Sequence, residues 1–137
     1  MLTTIDHVGI AVDDLEAAVE RYRHAFGIEP FHRERVDTQG VEEVLFDVGG
    51  SYVQLLGALS PDTPVGRFLE RQGPGVHHLA YRVDDIVATL DELRARGLRL
   101  IDQAPRPGSR RTSIAFVHPS ATGGVLIELV QEPRDEA

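Results

Sequence analysis

The chain contains no cysteine. It therefore has neither a disulfide framework nor a thiolate metal site. Positive charge is scarce: 14 Lys and Arg stand against 22 Asp and Glu, for a formal net charge of −8. Backbone binding to nucleic acid needs a basic surface, so DNA and RNA are excluded as main partners. An anionic small molecule needs only a local basic cluster and stays open. No apolar run approaches membrane-spanning length. The N-terminus enters a strand pattern directly, without a charged segment followed by an apolar one. The chain thus reads as cytoplasmic, with no membrane partner. At 137 residues and 42% hydrophobic content, it is long enough for one compact core.

What is present is a repeat. Ile5-Asp6-His7-Val8-Gly9-Ile10-Ala11-Val12-Asp13-Asp14-Leu15 aligns without a gap on Val76-His77-His78-Leu79-Ala80-Tyr81-Arg82-Val83-Asp84-Asp85-Ile86. Each stretch runs into a helical pattern: Leu15, Val19, Tyr22 and Phe26 up to Gly27, then Ile86, Leu90 and Leu93 up to Gly97. Asp13 with Glu16 fits a capping box, and Asp84 or Asp85 caps the second helix. Strand-like segments follow at 28–31, 43–48 and 51–56 in the first half, and at 98–102, 113–117 and 124–130 in the second. Each half reads β-α-β-β-β. The first module spans residues 1–59 and the second 76–137. A Pro- and Gly-rich link, 60–75, has room for a short helix over 65–72. The expected fold is α+β: two tandem βαβββ modules in one structural domain.

Alternation along the strands sorts the polar residues. Val8, Ile10 and Val12 share a face that packs under the first helix; His7, Gly9 and Ala11 share the other. In the repeat, His78, Ala80 and Arg82 take the face equivalent to His7. His77 points the opposite way, with Leu79 and Tyr81, and reads as a packing residue. Gln54 and Glu128 sit at equivalent positions among apolar neighbours in the last strand of each half. Each module thus offers one histidine and one oxygen donor. Two nitrogen and two oxygen ligands suit Co²⁺, Mn²⁺, Ni²⁺, Fe²⁺ or Zn²⁺ with open positions. Singly, such residues are more often hydrogen-bonded or ion-paired structural groups than ligands; recurrence in register favours the ligand reading. Alternation leaves Glu43 either a solvated strand-end carboxylate or a cavity-lining group, where burial would suit it to general-base work.

Paired βαβββ modules with His…Gln and His…Glu resemble the vicinal oxygen chelate superfamily, which includes glyoxalase I and extradiol dioxygenases. More specific strings make the chain similar to the methylmalonyl-CoA epimerase family: QGVEE (39–43), YVQLL (52–56), PVGRFLE (64–70), GVHHLAYRVDDI (75–86), PRPGS (105–109), IAFVHP (114–119) and GVLIEL (124–129). The resemblance implies a curved mixed sheet around a metal-containing cavity. It implies a divalent ion, usually cobalt, held by His7, Gln54, His78 and Glu128. It implies Glu43 as a catalytic acid/base, with Glu128 serving the opposite side of C2. It also implies interconversion of (2R)- and (2S)-methylmalonyl-CoA by a homodimer acting on an acyl-CoA.

Arg111 stands where relatives of this kind carry glycine, and Ser120 where they carry lysine. Arg106, Arg110 and Arg111 form a local basic cluster that serves either CoA phosphates or loop solubility. The competing readings are a glyoxalase-type isomerase, an epimerase of a related acyl-CoA such as ethylmalonyl-CoA, a dioxygenase or a small-molecule-binding resistance protein. A dioxygenase needs two His and one carboxylate on iron, which Gln54 fits poorly. A binding protein has no need of the ligand set or of Glu43.

Overall fold

The computed structural model describes residues 1–134. Contacts divide the chain into two compact units, one of His7–His77 and one of Met1–Asp6 with the chain from His78 onward. Strand β1 (Leu2–Ala11) contributes to both.

In the His7–His77 unit, β1 pairs parallel with β4 (Ser51–Ala58). Strand β3 (Val41–Val48) pairs antiparallel with β4 and with the edge strand β2 (His32–Val36). Helix α1 (Leu15–Phe26) covers one face. Its Ala18 and Val19 pack with Val12, Val44, Phe46 and Leu55, as the alternation predicts. Asp14 caps this helix, accepting from the Ala17 amide. The expected Asp13–Glu16 capping box does not form, because the cap falls one residue later, at Asp14; Glu16 instead pairs with Arg33 on β2. That guanidinium holds the Glu16 carboxyl below the usual range. Gly27 ends the helix in the left-handed region at φ 64°. The Gly49-Gly50 turn between Val48 and Ser51 has φ of 67° and 93°, the both-positive geometry of a two-residue hairpin.

The expected strand at 28–31 is not formed; pairing begins at His32. Pro30 has no amide to donate, and Phe31 makes the first ladder bond, to the Leu45 carbonyl at 3.0 Å. Helix α2 (Pro64–Gln72) occupies the expected helical stretch, capped by Thr63. Val65, with Phe68 and Leu69 beside it, closes one end of the face opposite α1, over Ala11, Val36, Val41 and Leu56. A Cβ on Gly66 would lie 2.4 Å from the Ser60 carbonyl oxygen, so this helix start needs glycine. His77 lies edge-on to Phe68, ring centroids 5.1 Å apart, which agrees with a packing role.

In the second unit, β5 (Gly75–Val83) pairs parallel with β8 (Ile127–Gln131), which pairs antiparallel with β7 (Ser113–Val117). Helix α3 (Ile86–Ala95) is capped by Asp85. Its Ile86 and Leu90 pack on Val83, Leu100, Ala115, Val117, Ile127 and Leu129. The expected strand at 98–102 contributes only the Leu100–Val117 bridge. The third partner is instead the two-residue β6 (Arg106–Pro107). The strand expected from Gly124 starts at Ile127, because Gly123 and Gly124 turn at φ 74° and 106°. Parallel and antiparallel pairs coexist in each unit, so the α+β class with mixed pairing holds. No helix among the described residues is long and apolar enough to cross a membrane.

Candidate active site and metal ligands

The face of the His7–His77 unit opposite α1 carries the predicted polar groups. Gly9 lies opposite Gln54 in the parallel β1–β4 register, and Leu45 lies opposite Gln54 on the other side. His7, two residues before Gly9, shares this face, and the glycine puts no side chain between it and Gln54. Both His7 and Gln54 are buried. Glu43 is 1% exposed, which decides between its two readings: it is not a solvated strand-end group. Its Oε2 accepts from Gln54 Nε2 at 2.6 Å. Glu43 Oε1 and Gln54 Oε1 are buried with no hydrogen-bond partner among the described residues.

Orphaned buried oxygens are uncommon, since each forfeits its hydration without replacement. A carbonyl oxygen such as that of Gln54 is a donor that a borderline or hard cation accepts. The residues present thus fit a divalent ion.

The second unit contains the equivalent pair. Ala80 lies opposite Glu128 in the parallel β5–β8 register, and Phe116 lies opposite it on β7. His78 and Glu128 are each 2% exposed, with Nε2 and Oε1 3.6 Å apart. Two donors held at roughly 2 Å from one ion stand about 3 Å apart, so this spacing suits co-ligation. Phe116 presents its edge to the His78 ring at 5.6 Å between centroids. That contact limits the freedom of the imidazole ring.

The three arginines of the basic cluster have different surroundings. Arg110 reaches the buried Asp6 carboxylate, Nη2 to Oδ2 at 3.3 Å, and also Glu132. Arg106 pairs with Asp102 and lies over the Phe116 ring, 5.5 Å from its centroid. Arg111 is exposed and makes no ion pair among the described residues. Arg110 and Arg111 both have left-handed backbones, φ 53° and 60°, where side chains other than glycine are strained.

Sequence reasoning missed two sets of residues. Asp6 is fully buried and takes Arg82 on Oδ1, from Nε at 3.0 Å and Nη2 at 2.8 Å. His32 and Glu34 lie on β2, whose Glu34 pairs across to Glu43. The signal for these was the i, i+2 spacing of His32 and Glu34 on one strand face, hidden inside the charged string HRERV.

Residues 6–116 match the model of the Glyoxalase/Bleomycin resistance protein/Dioxygenase superfamily. The chain is 35% identical over 133 residues to the ethylmalonyl-CoA/methylmalonyl-CoA epimerase of Cereibacter sphaeroides, covering 96% of this chain and 99% of that one. Among solved structures, a variant of the Streptomyces coelicolor methylmalonyl-CoA epimerase in complex with 2-nitronate-propionyl-CoA superposes with a TM-score of 0.95. It is 41% identical, over 100% of this chain and 99% of that chain. A methylmalonyl-CoA epimerase in complex with methylmalonyl-CoA and NH4+ superposes with a TM-score of 0.95 at 42% identity, with the same coverage. The chain belongs to the glyoxalase/bleomycin resistance protein/dioxygenase superfamily and, within it, to the methylmalonyl-CoA epimerases.

Proposed function

We propose that this protein is a metal-dependent epimerase that interconverts (2R)- and (2S)-methylmalonyl-CoA. The observation that carries the reading is the state of Glu43: a buried carboxylate with one oxygen held by Gln54 and the other, Oε1, without a hydrogen-bond partner among the described residues. That is an oriented base with an available lone pair. A resistance-type binding protein has no use for it. The relatives named for this reaction support the same assignment.

His7, Gln54, His78 and Glu128 are the proposed ligands of one divalent ion, with Co²⁺ first and Mn²⁺, Ni²⁺, Fe²⁺ or Zn²⁺ accepted by the same donors. When bound, the ion supplies Lewis acidity toward the thioester and carboxylate oxygens of the substrate. Glu43 Oε1 takes the C2 proton, and the C–H electron pair passes into the thioester carbonyl to give a planar enolate. A proton delivered to the other face of C2, from a protonated Glu128 or a water beside it, gives the opposite configuration, and solvent returns a proton to that donor. Glu43 keeps the proton it took until solvent exchange or the reverse turnover removes it.

Among the basic residues, Arg111 is the proposed contact for CoA phosphate. Arg106 and Arg110 act with it by holding the loop that presents it. The proposed working form is a cytoplasmic homodimer.

The test follows deuterium entering C2 of racemic methylmalonyl-CoA in D₂O, with chelator-stripped and Co²⁺-reconstituted protein. Exchange is expected from the reconstituted protein and not from the stripped one. Equal exchange from both overturns metal dependence, and no exchange from either overturns the epimerase reading.

A further inference from the structure

The face of the His7–His77 unit opposite α1 holds a second cluster of donors outside the proposed ligand set. His32 and Glu34 lie two apart on β2, and Glu34 is the register partner of Glu43 on β3. His32 Nε2 and Glu34 Oε1 are 2.8 Å apart. One ligand atom each from His32, Glu34 and Glu43 all lie within 4.8 Å of one another. Independent of that proximity, Glu43 is 1% exposed and its Oε1 has no hydrogen-bond partner among the described residues. The His32 and Glu34 side chains are 28% and 35% exposed, so an ion has a route from solvent to the buried carboxylate.

We propose that His32, Glu34 and Glu43 form a second cation site, one that takes a borderline divalent ion such as Zn²⁺, and that an ion bound there switches off Glu43 as the base. One imidazole nitrogen and two carboxylates, with a position left for water, are a zinc donor set. The two carboxylates also supply the charge that a borderline divalent ion needs. Binding replaces the His32–Glu34 hydrogen bond, and the imidazole then carries its proton on Nδ1. The lone pair on Glu43 Oε1 cannot serve the ion and a C2 proton together. The inhibitory half of this proposal rests on the reading of Glu43 as the base; the binding half does not.

The test starts from protein carrying one equivalent of Co²⁺, whose retention is followed by its visible absorption. Zn²⁺ alone is titrated in by calorimetry while C2 deuterium exchange is measured in parallel. The parent protein takes up one further equivalent, and exchange falls in step while the cobalt absorption persists. His32→Gln and Glu34→Gln each weaken this uptake by about tenfold or more, raise the half-inhibiting Zn²⁺ concentration by the same factor, and leave zinc-free exchange within about twofold. The absence of a second equivalent, or uptake of equal strength in both variants, overturns the proposal. Loss of the cobalt absorption in step with inhibition also overturns it, because the zinc then acts at the first site. Uptake that depends on His32 and Glu34, in a protein that exchanges no deuterium in any metal state, supports the site and overturns the epimerase reading instead.

Discussion

Gln54 donates from Nε2 to Oε2 of Glu43 at 2.6 Å, and both side chains are buried. The bond fixes which end of the amide meets the carboxylate, and it leaves Gln54 Oε1 without a partner among the described residues. A buried acceptor left in that state costs about 1–3 kcal/mol, a cost that a coordinated cation removes. One uncharged side chain therefore does two things: it orients the base and presents an oxygen ligand. A carboxylate in its place would repel Glu43, and an aliphatic side chain would do neither.

Two substitutions separate these roles. Gln54→Leu removes both, so cobalt retained after dialysis against a chelator falls, with affinity down by at least the roughly tenfold that loss of a ligand's supporting partner costs. Gln54→Glu keeps an oxygen ligand but removes the amide donor and sets a second carboxylate against Glu43. It is expected to hold cobalt while deuterium exchange drops. Parent-like cobalt retention by the leucine variant would remove Gln54 from the ligand set.

Glu43→Gln keeps the shape of the side chain and deletes the base. Exchange at C2 is expected to fall by about 10²–10⁴-fold for both enantiomers. Cobalt content should stay at the parent level, because Glu43 is not among the four residues proposed to hold the cobalt. Near-normal rates for both enantiomers would show that the proton leaves by another group.

The repeat made much of this site legible. His7 with Gln54 and His78 with Glu128 recur in register, and the β1–β4 and β5–β8 pairings place each oxygen donor on its histidine's face. Helices α1 and α3 followed from apolar spacing and a nearby Asp cap. Edge strand β2 was not legible, because both faces of HRERV are polar and no alternation marks it. Burial of Glu43 was not legible either. It depends on Leu56 opposite it and on the Val36, Val41 and Val65 cluster at the end of the face. The unequal surroundings of the three arginines turn on Asp6, which lies 104 positions from Arg110 and signals nothing by local pattern.

Asp6 is the buried anion of a charged network that ties β1 to β5 and to the loop after β6. Arg82 gives it two hydrogen bonds and Arg110 a third contact, while Glu132 faces both guanidinium groups. Asp6→Ala leaves two half-buried cations without their central partner, which costs about 3–5 kcal/mol. Asp6→Asn retains the shape and an acceptor oxygen and should cost less. Urea unfolding reads both. A loss under about 1 kcal/mol for the alanine variant would show that the network is not a stabilising one.

Arg111 allows a prediction in which stability and binding move in opposite directions. Its backbone is left-handed at φ 60°, a conformation that costs a side-chain-bearing residue about 1–2 kcal/mol and glycine almost nothing. Its side chain is exposed and makes no ion pair among the described residues, so glycine sacrifices no ionic contact inside the protein. Arg111→Gly should therefore raise stability, by up to about 1 kcal/mol once the greater freedom of glycine in the unfolded chain is counted. If Arg111 meets CoA phosphate, the same change raises KM for methylmalonyl-CoA with kcat unchanged. It also flattens the dependence of KM on salt, because the screened charge is gone. Arg110→Gly relieves a similar backbone strain at φ 53° but gives up the Asp6 and Glu132 contacts, so its net effect on stability should be a loss. A stabilised Arg111→Gly protein whose KM and salt response match the parent would leave the arginine with no part in binding the substrate.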